Sequence, residues 1–418
     1  MRNDGYVSLL SGMGTERDPL ATTDFRQPTL LTEDHLNAIF QSDGVGRKIV
    51  EMPASEMIRP WFTVAGDEGG AVLDVLETIG AQDLVTEAVT WSRLHGGAVV
   101  VFAHDGGGDF HQPLRPFKRL LGGKAFDRWA VSWVKGLDSP DPLRRLQGLS
   151  EQILVQPAGG GNQVAVHEHR YVVIPGARVP DRVRQSSDGW DAPVLQFCLE
   201  AVRRYASGLG YTSNILRDFI QAVLSVQGLT DLLAAGGEET VKQRLRLLDL
   251  SRSILNTMVI DAEGEVFTKS ASSVSGLDQL IDRYMEELAL VSGIPVAKLA
   301  GRTSGKLGAT GESDLRNFYD MLAAERQRVA ATLVETLVRS VYRSKDGPTG
   351  GVEPEAWSIE WNPFYQLSET EEAALRKTVA ETDKIYLDAR VLSQNDVAES
   401  RWGSGEWSMQ TVLDPKEE

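Results

Sequence analysis

The sequence predicts an α+β fold in which helix predominates, and three observations carry that prediction. Apolar residues recur at helical spacing over most of the chain from Thr32 onward. Residues 96–176 change instead to short β-branched runs framed by glycines, the pattern of buried strands. A single alternating run, "NTMVIDAEGEVFTKSA", reads as a β-hairpin turning at Asp261–Gly264 between helical stretches.

Taken in order, residues 1–30 are polar and punctuated by proline and glycine, as in an extended arm. Thr32 is placed to cap a helical run reaching Ile58, with Glu33 and Asp34 in its first turn. "LDVLETIG" and "AQDLVTEAVTWSRLHGG" give two more helices. The β-rich stretch opens with "GGAVVVFAHDGGG" and ends at "VAVHEHRYVVIPG". Helical spacing returns as "VLQFCLEAVRRYASGLG" and "TSNILRDFIQAVLSVQGLTDLL", two helices, with a third in "EETVKQRLRLLDLSRSI". The helix "SGLDQLIDRYMEELALVSGIP" closes on Gly293 and Pro295. A glycine-rich loop follows, and then the longest helical pattern, 312–343, with Leu315, Phe318, Leu322, Val329, Leu333, Leu337 and Val341 on one stripe.

Composition excludes several classes. The 418 residues are too many for one compact core. No window supplies the roughly 18 apolar residues of a membrane-spanning helix, so no membrane partner is expected. The single cysteine, Cys198, rules out an intrachain disulfide framework and sits in a core-like helical pattern. Net charge is −16, and residues 351–418 hold fifteen acidic against six basic side chains. Such a chain does not grip DNA through its whole surface, although it can surround it.

The segment "GRTSGKLGATGESDL", residues 301–315, looks like a phosphate-binding loop, but the detail fails. Three residues, not four, separate Gly301 from Gly305, and Leu307 stands where a metal-binding hydroxyl is needed. The loop also follows a helix rather than a buried strand. His167 and His169 flank Glu168 on a strand pattern, where i and i+2 share a face, but no complementary pair accompanies them. An exposed strand face is the simpler reading. No histidine heads an H-x-[ST] pair, and G-x-S-x-G, H-E-x-x-H and CxxC are absent. No active site is assembled from these parts; neither enzyme activity, cofactor nor metal is expected.

Gly293, Ile294, Pro295, Leu299 and Gly301 form a G-I-P-x-x-x-L-x-G segment. Beyond the glycine loop, Thr310, Gly311, Glu312, Asp314, Arg316, Asn317, Phe318, Tyr319 and Asp320 complete a second motif. In these motifs, and in "IVEMPASEMIRPWFTV" and "WNPFYQLSETEEA", the chain resembles the phage portal proteins, the head-to-tail connectors of tailed bacteriophages. The resemblance extends over about residues 30–400. It implies a ring, usually of twelve subunits, at one capsid vertex of the virion, assembled in the host cytoplasm. Double-stranded DNA is packaged and ejected through such a ring, without sequence preference. Implied partners are the terminase large subunit, the major capsid and scaffolding proteins, and a head-tail adaptor protein.

Laid on the elements, the resemblance implies an arm (1–30), a wing (31–210, β-rich at 96–176), a stem helix (211–232) and a clip with a β-hairpin (233–271). A second stem helix (272–300), a tunnel loop (301–311), a wing segment with the long helix (312–369) and a small crown (370–418) follow. Arg302, Thr303, Ser304 and Lys306 would then face DNA, and Gly301, Gly305, Gly308 and Gly311 would supply loop freedom. Met258, Ile260, Val266 and Phe267, too few to enclose a core, would pack between subunits. The alternative is a nucleotide-binding or nucleotide-hydrolysing phage enzyme.

Overall fold

The computed structural model describes residues 30–67, 70–134, 139–142, 149–157, 160–218, 220–226, 239, 242–243, 265–271, 276–301, 309–365, 369–398 and 400–401. The chain divides into two compact units, Met1–Glu360 and Trp361–Glu418. Among the described residues no helix is long and apolar enough to cross a membrane.

In the first unit the expected helix from Thr32 to Ile58 is two helices, α1 (Glu33–Ser42) and α2 (Gly44–Ile58). Thr32 caps the first, accepting the His35 N–H. Asp43, extended at φ −110°, ψ 113°, interrupts the run because its carboxylate accepts the Gly46 N–H and caps the second. Inside α2, Pro53 has no N–H, so the carbonyl of Ile49 loses its helical partner. Arg93 replaces it, donating Nη2 to Ile49 O at 2.9 Å and Nε to Val50 O at 3.1 Å.

After β1 (Phe62–Ala65) and α3 (Ala71–Thr78), Arg93 arrives on α4 (Ala81–His95), which Gly96 ends in the left-handed region at φ 87°. The next strand, β2 (Gly97–His104), is buried over its first six residues. It is the centre of an antiparallel sheet between β3 (Leu120–Asp127) and β7 (Tyr171–Pro175). A second antiparallel sheet orders β4 (Val131–Trp133), β5 (Gln152–Val155) and β6 (Val164–His167). Val99, Val101, Val131, Ile153, Val155 and Val166 share one core cluster across the two sheets.

The exposed face expected at His167 and His169 holds for His169, which is exposed, and is corrected for His167, which is buried. The strand stops at His167, and Glu168–Arg170 form one 3-10 turn that carries His167, Glu168 and Arg170 into the interior. His167 pairs with Glu151 at 3.3 Å, and Glu168 accepts from the Ser139 hydroxyl at 2.7 Å. Among the described residues no three His, Cys, Asp or Glu side chains are grouped to hold a metal. Arg170, 1% exposed, donates to the carbonyls of Gly107, Gly108 and Gln112 and so holds the "HDGGG" turn in place.

His104 lies against Phe117, ring centres 4.4 Å apart, and its buried ring nitrogens have no hydrogen-bond partner. Burial, followed by the nearby Arg170 charge, lowers its pKa from 6.5 to about 4. The neutral ring is therefore favoured in the fold. Its contribution is complete above pH about 6.5 and is lost as pH falls toward 4, where the unfolded chain takes the proton first. Between pH 7 and 4.5 we expect wild type to lose about 2–3 kcal/mol more than His104→Phe in urea unfolding. Parallel losses in the two proteins would show that this histidine does not set the slope.

Past α5 (Asp181–Ser186), the described residues of the two helices expected over 194–233 form one helix and one strand. The helix α6 (Leu195–Asp218) runs through Gly208 and Gly210 without stopping. Gly208 is a packing residue: a Cβ there would stand 2.6 Å from the Tyr284 ring. The stem helix expected over 211–232 ends at Asp218, because β8 (Ile220–Val226) pairs antiparallel with β9 (Glu265–Ala271). "IQAVLSV" satisfies both periods, and its partner strand Glu265–Ala271, far along the chain, decides between them. The hairpin expected around Asp261–Gly264 thus contributes its second arm to a different pairing, and its first arm lies outside the described residues.

Helix α7 (Leu277–Ser292) packs on α6 with contacts 198 to 291, 204 to 287 and 208 to 284, an antiparallel pair. Cys198 is buried in this seam, and burial pushes its thiol up to about 11, so it is an inert core residue. The single helix expected over 312–343 is broken at Ala330 (φ −108°, ψ −24°) into two. These are numbered α9 (Ala309–Val329) and α10 (Ala331–Tyr342), leaving α8 for Val296–Ala300. No proline or glycine stands at the break. It coincides with tertiary ties from Arg326 to Pro60 O (3.3 Å) and Arg328 to Gly176 O (2.8 Å). Beyond α10, Glu353 joins Arg339 and Arg343 at 3.0 and 2.9 Å, and β10 (Ser358–Trp361) pairs with β1.

The second unit holds α11 (Glu369–Asp388) and α12 (Gln394–Ala398). Asp383 receives both Nε and Nη2 of Arg401, at 2.9 and 3.0 Å.

Candidate functional site

The two sequence motifs meet at the base of the glycine loop. Gly293 ends α7 in the left-handed region at φ 69°, its N–H bonded to Ala289 O. A Cβ there would lie 2.9 Å from Met321 Sδ, so close approach as well as conformation requires glycine. Pro295 starts α8, a five-residue helix ended by Gly301 at φ 64°. The G-I-P-x-x-x-L-x-G segment is therefore one helical turn between two left-handed glycines. Ile294 and Leu299 pin it into the core.

Arg302, Thr303, Ser304, Gly305, Lys306 and Gly308 lie outside the described residues. The loop expected to run to Gly311 ends earlier: α9 begins at Ala309, and Gly311 is a helical residue. The T-G-E-x-D-x-R-N-F-Y-D motif is the first half of that helix. Phe318 and Leu322 are buried, whereas Asp314, Asn317 and Met321 join Gly293–Ala297 around a cleft of about 400 Å³. Met258 and Ile260 are outside the described residues, and Val266 and Phe267 stand in β9 opposite Ser225 and Leu224.

Two lysines with no distinguishing sequence context organise this base. Lys48 of α2 donates to Leu299 O at 2.9 Å, occupying one of the carbonyls that the end of α8 leaves open. Lys298 reaches Glu56 Oε1 at 2.9 Å, and its ammonium lies 5.7 Å from the centre of the Tyr319 ring. Burial alone would lower the Lys298 pKa, but Glu56 and Tyr319 more than offset it and raise it above the ordinary value. Glu56 also pairs with Arg59 at 3.0 Å. The arrangement offers cations and backbone ends that hold α8 in place, and among the described residues it offers no nucleophile–base pair. A partnerless carbonyl beside Pro53 was the one sequence signal for Arg93; Lys298 had none, since its partner is 242 residues away.

The chain is 27% identical over 405 residues to a protein of Caulobacter sp. (strain RHG1) named Anti-CBASS protein Acb1. That match covers 93% of this chain and 63% of the relative. A protein of the same name from Sphingomonas paeninsulae is 25% identical over 401 residues, covering 92% of this chain and 62% of the relative. The chain thus spans less than two thirds of the length of these two relatives. An uncharacterized protein of Haemophilus influenzae is 22% identical over 413 residues, covering 96% and 90%.

Among solved structures, a chain in the neck of a native GTA particle computed with C12 symmetry matches with TM-score 0.54 at 16% identity, covering 93% of this chain and 96% of that one. A chain from the virion of a native gene transfer agent particle gives TM-score 0.53 at 16% identity, covering 95% and 98%. These likenesses establish a shared fold. The sequence profile of the phage portal protein family matches residues 34–385, from the first turn of α1 to the last turn of α11. That span takes in both motifs and the antiparallel α6–α7 pair, and the chain belongs to the phage portal protein family.

Proposed function

We propose that the chain forms a ring, of twelve subunits, through which double-stranded DNA enters and leaves a virion. The ring would stand at one capsid vertex and dock the terminase large subunit, the capsid and scaffolding proteins, and a head-tail adaptor. The observation that carries this reading is the order of elements in a portal-family chain. An antiparallel helix pair, α6 and α7, leads through a glycine-bracketed turn to Gly301, and α9 follows from Ala309. The segment 302–308 is the tunnel loop in this reading. Arg302, Thr303, Ser304 and Lys306 meet the DNA, and Gly305 and Gly308 give each subunit freedom to adjust. The overall charge of −16 supports weak, sequence-independent contact, since an acidic wall repels phosphate and only local cations touch it.

The name borne by two longer relatives, Anti-CBASS protein, is a reason to test the second reading, a nucleotide-binding or nucleotide-hydrolysing enzyme, alongside the first. Mass photometry separates the two: twelve copies of a 45.8 kDa chain give a particle of about half a megadalton, an enzyme a monomer or dimer. The same preparation should show no magnesium-dependent nucleotide turnover above background. Met258, Ile260, Val266 and Phe267 pack between neighbours in this reading, so Phe267→Asp should remain soluble yet fail to assemble. Normal rings from that variant would remove the proposed clip contact.

A further inference from the structure

We propose that the cleft between the outer edge of β7 and α10 takes an extended acidic segment of a partner protein as an added strand. The cleft holds about 1120 Å³, more than the roughly 300–1,000 Å³ of a small-molecule site. Tyr171, Val172, Val173 and Pro175 line it, whereas β2 and β3 contribute no described residue. A cleft over one face of a sheet meets alternate residues of a strand; three in succession mark an edge. Among the described strands β7 is the outer one of its sheet, so every second residue turns its N–H and C=O away from β2.

Sheet edges that face solvent carry devices against pairing. The opposite edge of this sheet has them: β2 and β3 slip register at Ala103/His104, and Lys124 of β3 pairs with Glu87. The β7 sequence "YVVIP" has no charged residue, and its proline stands last. The facing wall is α10, whose Thr332, Thr336 and Arg339, continued by Arg343 at the C-cap, follow one another at helical spacing. Arg115 and Arg184 complete the rim. In a chain of net charge −16, this lining sets four arginines against two carboxylates. Both carboxylates are engaged, Glu168 by the Ser139 hydroxyl and Asp191 by Arg184. Arg343 meets Glu353 through Nε, which leaves its outer nitrogens to a ligand, and the exposed Arg115 forms no ion pair among the described residues. Backbone pairing along β7 would supply affinity, and the arginines the choice of an acidic sequence.

The test is fluorescence anisotropy of the full chain with a labelled peptide of about ten residues in which glutamate alternates with valine. Binding should saturate below about 100 μM. A strand offers only alternate N–H groups to one edge. Methylating the backbone nitrogens of the glutamates alone, or of the valines alone, should therefore weaken one peptide at least about tenfold and spare the other. Lysine in place of glutamate in the peptide, or Arg115→Glu in the protein, should each weaken binding about threefold or more. Arg115 and Thr332 are exposed, so Arg115→Glu and the groove-filling Thr332→Trp keep the fold, and the second should exclude the peptide. The proposal is overturned by no saturation, by equal effects of the two methylations, or by undiminished binding of the lysine peptide or of both protein variants. Single-stranded DNA that displaces the label better than unlabelled peptide would give the cleft to nucleic acid. Binding confined to unassembled Phe267→Asp subunits would give it to a neighbouring copy, and either result also overturns the proposal.

Discussion

Replacing Arg93 with methionine should destabilise the first unit by about 2–4 kcal/mol, the largest stability loss expected from any single side chain discussed above. Burial lowers the Arg93 pKa to about 10, a measure of the cost of holding a charge in that interior. A methionine of similar length removes that cost, which alone would favour the variant. Against it stands Ile49 O, which Pro53 deprives of a helical donor and which Arg93 serves at 2.9 Å, and Val50 O, which loses the Nε bond. Ile49 O left unpaired costs about 1–3 kcal/mol, and Val50 O, which keeps the Ala54 N–H of α2, loses a charge-assisted bond; together these outweigh the relief. The mechanism has its own control. Pro53→Ala restores an N–H for Ile49 O, so Arg93→Met should cost at least about 1 kcal/mol less in that background. Equal costs in both backgrounds, measured by denaturant unfolding at one protein concentration, would detach Arg93 from the proline.

Arg302→Glu combined with Lys306→Glu should leave ring assembly intact and reduce stable genome packaging by at least about tenfold. Between Arg302 and Gly311 these are the only charged side chains, so each subunit changes from two local cations to two anions in an already acidic chain. Around a ring the change is repeated in every copy, and an electronegative constriction repels the phosphate backbone at close range, where screening is least effective. Assembly should survive because neither residue belongs to α7, α8 or α9, whose described contacts hold the base of the loop. Particles carrying this double variant and holding full-length, stably packaged DNA would show the loop charges to be dispensable.

Local features were legible in the residues alone. Thr32 as a cap, Gly293 and Gly301 as helix ends, the β-rich stretch at 96–176 and the apolar stripe of the 312–343 region follow from backbone preferences and short periods. A left-handed glycine or a capping hydroxyl acts within one helical turn, so neighbouring residues suffice to reveal it. The portal-family motifs were legible for the same reason, being contiguous.

Only the tertiary structure decided the rest. Ile220–Val226 fits a helix or a strand until Glu265–Ala271 lies beside it, and Gly208 reads as a helix end until the Tyr284 ring fills the space at its Cα. Ala330 interrupts a stripe that nothing in its own turn disturbs, and the strand at His167 gives way to a turn where Arg170 reaches the carbonyls of Gly107, Gly108 and Gln112. At the candidate site, Lys298 looks like any surface lysine until Glu56 and Tyr319 converge on it. In each case the deciding partner is distant in sequence. The free energy belongs to a pair that exists only once the chain is packed, and no single-residue preference encodes it.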